Sequence, residues 1–189
     1  MQMSLSPNKL EILEALLLHD KPVKPMQVSK EMGKEFPSVM MHILGLTKMG
    51  YATPAEKGYY IITKEGKKFL GIPEVSRDVA RTLLVGKLHE QAFHFYLDIG
   101  KPLDIKAYNL QTFNSQLKRV QLESVDFHMK RGDFEAWFRG IGDIELAKKT
   151  AVLKRLTLDG ENLRKKLQII TVNRCIALAK IAGYTVVTK

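Results

Sequence analysis

The order of apolar patterns in the first 71 residues is the feature that most constrains the fold of this chain. Leucines at helical spacing follow Ser6-Pro7, and a second helix is predicted from Pro25 to Gly33. A third helix follows Pro37 and carries apolar residues at positions i, i+4, i+7 and i+10, which are Val39, Ile43, Leu46 and Met49. The pattern predicts three short helices with a turn between the second and the third.

Two short strands are predicted directly after the third helix, which Gly50 ends. Residues 51–53 and 59–62 are typical of strands, and the turn-rich segment 54–58 separates them. A last short helix begins near Thr63 and extends through Leu70. We therefore expect a first domain at residues 1–72 with the order helix, helix, turn, helix, hairpin, helix.

These residues resemble the helix-turn-helix and wing of winged-helix transcription regulators. The similarity lies in GKEFPSVMMHILGLTKMGY at residues 33–51 and YATPAEKGYYIITKEGKKFL at residues 51–70. It includes small Ser29 where two helices cross and Gly33 in the turn, and the related stretch covers residues 6–71. The resemblance implies a winged-helix domain that contacts duplex DNA with its third helix and its wing.

The candidate DNA contacts are the residues of the third helix that point away from its apolar stripe. A helix fits the major groove, and a hairpin beside it can place a lysine along the backbone. Lys57, at the tip of the predicted wing, suits phosphate contact. The predicted DNA-binding residues are Ser38, Met40, Met41, His42, Leu44, Gly45, Lys48 and Lys57.

Met40, Met41 and Leu44 make this face more apolar than the Arg, Lys, Ser, Gln or Asn usual in DNA-binding members of the family. Apolar side chains can contact thymine methyl groups. An apolar patch of this kind also suits a protein surface. The alternative hypothesis is a protein-interaction adaptor whose winged helix docks a partner through these three residues.

Residues 73–189 are predicted to form a helical second domain for dimerisation or sensing. Phe93, Phe95, Leu97 and Ile99 alternate with polar residues, which allows one short hairpin. Helical patterns follow at residues 110–119, 122–130, 133–140, 143–155 and 159–182. We therefore expect a mostly α fold, with α+β character from the wing.

The segment FHMKRGDFEAW, at residues 127–137, resembles the FHxxRGDFExW hallmark of an uncharacterised helical domain of archaeal and bacterial proteins. The similarity extends over about residues 93–174 and implies a fold without a defined chemistry. From the residues, Gly132 is expected to end one helix and Asp133 to cap the next. The alternative is a small ligand or anion pocket around His128 and Arg131.

The last helix carries an apolar stripe that has two interpretations. Its members are Leu163, Leu167, Ile170, Ala177 and Ile181, with Arg174 as the polar residue among them. The stripe packs inside its own domain, or it pairs two subunits in a homodimer. Basic residues near it would flank DNA or form a solvated rim: Lys148, Lys149, Lys154, Arg155, Arg164, Lys165 and Lys166.

The charge of the chain favours a polyanionic partner such as DNA. The net charge is +10 and the pI about 9.6, with +2 on residues 1–75 and +8 on the remainder. Cys175 is the single cysteine, which excludes an internal disulfide and fits a reducing cytoplasm. No apolar stretch approaches the ~20 residues of a membrane span, and the start does not resemble a signal peptide.

The motifs of common catalytic and metal sites are absent from the sequence. His89 and His94 are five positions apart without the H-E-x-x-H pattern, and no phosphate-binding or nucleophile-elbow motif occurs. We therefore expect a binding protein, with no enzymatic activity, no metal and no cofactor.

Overall fold

A computed structural model describes residues 4–86 and 89–184, and the chain divides into two compact units, Met1–Pro73 and Glu74–Lys189. Helices dominate both units, and the described residues contain two antiparallel hairpins, so the predicted mostly α fold class is confirmed. Over the same residues, no helix has the length and apolar character needed to cross a bilayer.

The first unit follows the predicted order of elements. Prolines occupy the first turns of its first three helices, where a missing N–H costs no hydrogen bond. Gly33 ends the second helix with φ of +60°, a conformation that favours glycine. The elements are α1 Pro7–Leu17, α2 Pro25–Met32, α3 Phe36–Lys48, β1 Ala52–Glu56, β2 Tyr59–Ile62 and α4 Lys64–Phe69.

The core of the first unit forms where α3 packs on α1 and α2. Val39, Ile43 and Leu46 are completely buried against leucines of α1, whereas Met49 lies at the end of α3 and is only partly buried. The backbone of β2 is hydrogen-bonded to the connector before α2. Val23 and Tyr60 exchange two N–H···O bonds, of 2.8 and 2.9 Å. The buried stripe of α3 thus lies in the core of the unit, and the hairpin is bonded to the connector before α2.

The second unit is a helical body with one hairpin. β3 and β4 pair antiparallel, so the hairpin expected near Phe93 is present. Phe93, Phe95, Phe113 and Phe134 meet in one aromatic cluster, with Phe93 and Phe95 ring centroids 4.9 Å apart. The elements are α5 Arg77–Val85, β3 Phe93–Asp98, β4 Lys101–Ala107, α6 Leu110–Leu117, α7 Leu122–Arg131, α8 Asp133–Gly140, α9 Ile144–Arg155 and α10 Gly160–Ala182, with a short 3-10 helix at His89–Gln91.

The stripe of α10 packs inside its own unit, as one of the two interpretations expected. Leu163, Leu167 and Ile170 are buried, but Ala177 is half-buried and Ile181 is exposed. The buried line instead continues through Arg174 and Leu178. A homodimer seam made of the five predicted residues is therefore wrong, because three of them already belong to the core of the same chain.

A buried cluster of charges explains why Arg174 interrupts this line. Its Nε donates to both carboxylate oxygens of Asp143 at 3.0 and 2.9 Å, and its Nη1 donates to Glu145 at 2.9 Å. The Nζ of Lys149 lies 3.4 Å from the other oxygen of Glu145, and that lysine is completely buried, so its predicted place at a basic surface is wrong. Charges removed from water in this way need such partners.

We expect Arg174→Leu to destabilise the second unit strongly. The change leaves Asp143 and Glu145 buried without the guanidinium, and breaking a buried ion pair from one side typically costs about 3–5 kcal/mol. Urea unfolding followed by circular dichroism measures the loss. Lys118→Leu, which removes an exposed cation at the end of α6, is the control and should change the unfolding free energy by less than about 0.5 kcal/mol. Equal effects of the two variants would contradict a stabilising role for the cluster.

Candidate functional site

The face of α3 opposite its buried stripe is open to solvent and largely apolar. Met41 is 61% exposed and Leu44 is 44% exposed, and Lys48 adds an exposed cation in the last turn. Ser38, Met40 and His42 are half-buried on the flanks of this face. We call Met41, Leu44 and Lys48 the α3 face.

Two outward positions of α3 are occupied by contacts within the first unit. A Cβ on Gly45 would lie 3.3 Å from Cε of Lys9, so a lysine stem from α1 covers this glycine. The hydroxyl of Thr47 donates to the carbonyl of Ile43 at 2.9 Å. Gly45 thus lies beneath the end of the Lys9 side chain, whereas the sequence interpretation assigned it to the DNA-binding set.

The hairpin is anchored to the end of α3. Thr63 follows β2, and its hydroxyl and N–H donate to the carbonyls of Gly50 and Tyr51 at 2.6 and 3.0 Å. Gly66 permits this closure, because a Cβ there would lie 2.3 Å from the Tyr51 carbonyl oxygen. These contacts hold the β1–β2 hairpin, with exposed Lys57 in its turn, in a fixed relation to α3.

His128 lies at the centre of a second arrangement, in the second unit. Its Nε2 accepts the backbone N–H of Tyr96 at 2.8 Å, and its Nδ1 lies 2.8 Å from Oδ2 of Asp133. Because a backbone N–H can only donate, Nε2 carries no proton, and Nδ1–H donates to the carboxylate. Both ring nitrogens therefore have partners within the chain.

The environment of His128 favours the neutral imidazole. Burial lowers its pKa below the ordinary value and the Arg131 charge adds to this effect, while the hydrogen bond and charge of Asp133 oppose it. The ring packs between aromatic side chains, with centroids 4.8 Å from Phe93 and 5.4 Å from Phe134. This histidine is a neutral connector between α7, α8 and β3.

Arg131 also binds Asp133, through Nε at 3.1 Å, and its guanidinium lies 5.2 Å from the Phe127 ring centroid. Asp133 is the first residue of α8, with Gly132 before it in the left-handed region at φ of +81°, so the predicted capping role of Asp133 is wrong. Its carboxylate instead joins His128 and Arg131. The two predicted pocket residues thus meet on one acidic group.

An open cleft of about 610 Å³ lies beside this arrangement. Aromatic side chains dominate its lining, and Arg131 contributes a half-exposed guanidinium whose charge Asp133 already offsets. Within residues 4–86 and 89–184, no three His, Cys, Asp or Glu side chains come together as a metal site. The lining includes Phe93, His94, Tyr96, Phe127, His128, Arg131 and Trp137.

Sequence reasoning missed the partners of Arg174 and the backbone N–H of Tyr96 that His128 accepts. Asp143 and Glu145 lie about 30 positions before Arg174, and Tyr96 lies 32 positions before His128. The one available signal was Arg174 itself, because a cation inside an apolar stripe requires buried acidic partners. Nothing in the local pattern identified which acidic residues they are.

We expect His128 to titrate below pH 6.5 as the Nδ1–H tautomer. The unfolded chain binds a proton near pH 6.5, whereas the folded chain resists it, so His128 contributes stability above that pH and the contribution falls as pH decreases through this region. Long-range proton–nitrogen NMR of the ring reports the tautomer and the pKa together, and His128→Gln identifies the resonance. A proton on Nε2 would contradict the hydrogen bond from Tyr96, and a pKa above 6.5 would contradict burial as the dominant effect on the imidazole.

No protein-family model, no curated protein and no solved structure matches the chain. The resemblance of residues 6–71 to winged-helix regulators and that of residues 93–174 to the helical domain therefore stay predictions.

Proposed function

We propose that the first unit binds duplex DNA and that the chain acts as a transcription regulator in the cytoplasm. In this proposal the α3 face enters the major groove, and Lys57 of the wing contacts the backbone. The winged-helix resemblance motivates the assignment, and the order of elements from α1 to α4 supports it. The function rests on the surface that α3 and the hairpin offer together.

The observation that carries the proposal is the anchoring of an exposed hairpin to the end of an exposed helix. α3 has 13 residues, which corresponds to about 20 Å, and the major groove is about 12 Å wide. The Thr63 bonds to Gly50 and Tyr51 hold the two elements at a constant spacing. A rigid helix and hairpin of this kind can contact a groove and its adjacent backbone without rearrangement.

Lysines supply the charge that a phosphate backbone would require. Lys48 ends α3, and Lys57 lies in the wing turn. Lys68 is a further exposed lysine, in α4, the helix that follows the wing. Lys48 and Lys57 are the two residues to which we assign phosphate contact.

The double variant Lys48→Ala with Lys57→Ala is expected to weaken DNA binding on all sequences. Each lost phosphate contact should make the dependence of log K on log salt shallower by about 0.9, hence by about 1.8 for both. Fluorescence anisotropy with a labelled duplex across a salt series measures the slope. Lys118→Ala with Lys130→Ala, two exposed lysines of the second unit, removes the same charge and should leave most of the slope intact. Equal losses in both double variants would mean that net charge alone drives binding.

A second candidate function is docking of a protein partner on the α3 face. The observation that favours it is the exposure of Met41 and Leu44, together with that of Phe36 at the start of α3, which is 38% exposed. Three exposed apolar side chains on one helix are typical of a helix that packs on a partner. This candidate uses the same surface as DNA binding and predicts the opposite response to added charge.

Met41→Lys separates the two functions. On DNA it adds a cation to the groove-facing helix, so we expect tighter binding and a salt dependence steeper by about 0.9. On a protein partner it places an unpaired charge in an apolar contact, so we expect binding to be lost. Met26→Lys, on α2, is the matched control because Met26 is also an exposed methionine. Fluorescence anisotropy with duplex DNA measures the affinity of both variants. Weaker DNA binding by Met41→Lys, with unchanged binding by Met26→Lys, would contradict the DNA proposal.

A further inference from the structure

The cleft beside His128 lies between β3, α7 and α8, and aromatic rings form much of its wall. Its volume of about 610 Å³ falls within the range of roughly 300–1,000 Å³ that is typical of small-molecule sites. Tyr96 from β3, Phe127 from α7 and Trp137 from α8 line it. Walls of this kind favour a planar ring as the ligand, because stacked rings bury large apolar areas.

Contacts within the second unit hold two of these rings in place. The Trp137 ring stacks on Phe113, with centroids 5.3 Å apart and planes at 28°, and its indole N–H donates to the Gln91 carbonyl at 2.6 Å. The Phe127 ring lies 5.2 Å from the Arg131 guanidinium. These walls are therefore ordered before a ligand enters, which lowers the entropy cost of binding.

An ion pair supplies hydrogen-bonding groups to the cleft. Arg131 and Asp133 both line it, and Arg131 uses only its Nε to donate to Oδ2 of Asp133, at 3.1 Å. The same Oδ2 lies 2.8 Å from Nδ1 of His128. Within the described residues, the two Nη atoms of Arg131 and Oδ1 of Asp133 have no hydrogen-bond partner. The pair thus offers N–H donors and a carboxylate acceptor side by side.

The Asp and Arg side chains that line the cleft are each paired with an opposite charge. Arg131 is bonded to Asp133, and Asp98 lies 3.6 Å from Nζ of Lys101. The imidazole of His128 is neutral, since burial lowers its pKa. Paired charges give neither an anion nor a cation a strong electrostatic advantage. The ligand that fits these groups is an uncharged planar ring whose edge carries both an acceptor and an N–H donor.

We propose that this cleft binds a nucleobase, either in a free nucleoside or in an unpaired strand. The base lies against Tyr96 and Trp137, Arg131 donates from Nη to an acceptor of the base, and Oδ1 of Asp133 accepts an N–H of the base. Nucleobases combine a flat ring with acceptors and N–H donors on one edge, and proteins recognise unpaired bases by stacking and by bonds to that edge. The proposal does not depend on duplex binding by the first unit, because duplex bases have both faces stacked.

His128 has a positioning role in this site. Its Nε2 accepts the backbone N–H of Tyr96 and its Nδ1–H donates to Asp133, so one wall of the cleft is connected to the proposed acceptor. Both ring nitrogens are thereby used, and His128 makes no hydrogen bond to the base. A fixed separation between a stacking ring and an acceptor is what recognition of one edge of a base requires.

Trp137 is the single tryptophan of the chain, so its indole N–H gives one NMR signal that reports on the cleft. The full chain is titrated with adenosine, guanosine, cytidine and uridine at millimolar concentrations, and with a short single-stranded oligonucleotide of mixed sequence. We expect a saturable shift of the Trp137 signal with at least one of these probes. Tighter binding of the oligonucleotide than of any nucleoside would identify an unpaired strand as the source of the base, and the reverse would identify a free nucleoside. No saturable shift with any probe would overturn the proposal.

Arg131→Gln tests the proposed donor. Loss of hydrogen bonds from a charged group should weaken binding of the base by about 10-fold or more. Arg139→Gln is the matched control: the Arg139 side chain is 53% exposed, against 51% for Arg131, and donates to Glu135 at 2.9 Å, but it does not line the cleft. Circular dichroism verifies that both variants fold. Unchanged affinity in Arg131→Gln, or an equal loss in Arg139→Gln, would overturn the assignment.

Tyr96→Leu tests the stacking wall. The leucine keeps an apolar side chain and the backbone N–H that bonds His128, but it removes the ring, so binding should weaken by about 10-fold. Tyr184→Leu, which removes a tyrosine outside the cleft, is the control and should bind as the wild type does. Equal affinities of Tyr96→Leu and the wild type would overturn stacking as the mode of binding. All these variants leave the first unit unchanged, so duplex binding can fail or succeed without altering the outcome.

Discussion

Arg174 and its acidic partners form the constraint on which the second unit depends. A guanidinium that is only 4% exposed can be kept inside a helical body only when its donors are satisfied, and Asp143 and Glu145 accept from it on two sides. Asp143 also accepts the N–H of Leu146 at 3.0 Å and so caps α9. One pair of carboxylates thereby fixes the start of α9 against the middle of α10.

The same constraint decides which side of α10 remains available. Since Arg174 points into the unit, Leu167 and Leu178 on its side of the helix are buried with it, and the opposite side is left with Ile169 and Val172 at the surface. A rotation of α10 about its axis would withdraw the guanidinium and leave Asp143 and Glu145 buried without it. The exposure of Ile169 and Val172 is therefore a consequence of the buried charges as much as of the apolar sequence of α10.

The two units use their polar groups differently. In the second unit, the hydrogen bonds of His128 and Asp133 join α7, α8 and β3. The imidazole is neutral and therefore gives the adjoining cleft no positive charge. In the first unit, polar contacts such as Thr63 to Gly50 hold the hairpin, and the lysines remain at the surface. The proposed DNA contact is assigned to the first unit because its exposed helix and anchored hairpin form one surface, although more of the net positive charge lies on the second.

The sequence by itself determined the order and type of the elements, because the signals for these are local. Proline at a helix start, glycine at a helix end and apolar spacing act within a few residues, so α1 to α4 and the β3–β4 hairpin were predictable. Tertiary structure decided the partners of Arg174 and His128, the burial of Lys149 and the cover of Gly45 by Lys9. The contacts of Arg174 with Asp143 and Glu145, of His128 with Tyr96 and of Gly45 with Lys9 join positions about 30 or more residues apart. Local periodicity carries no information about which distant side chain completes a buried polar group.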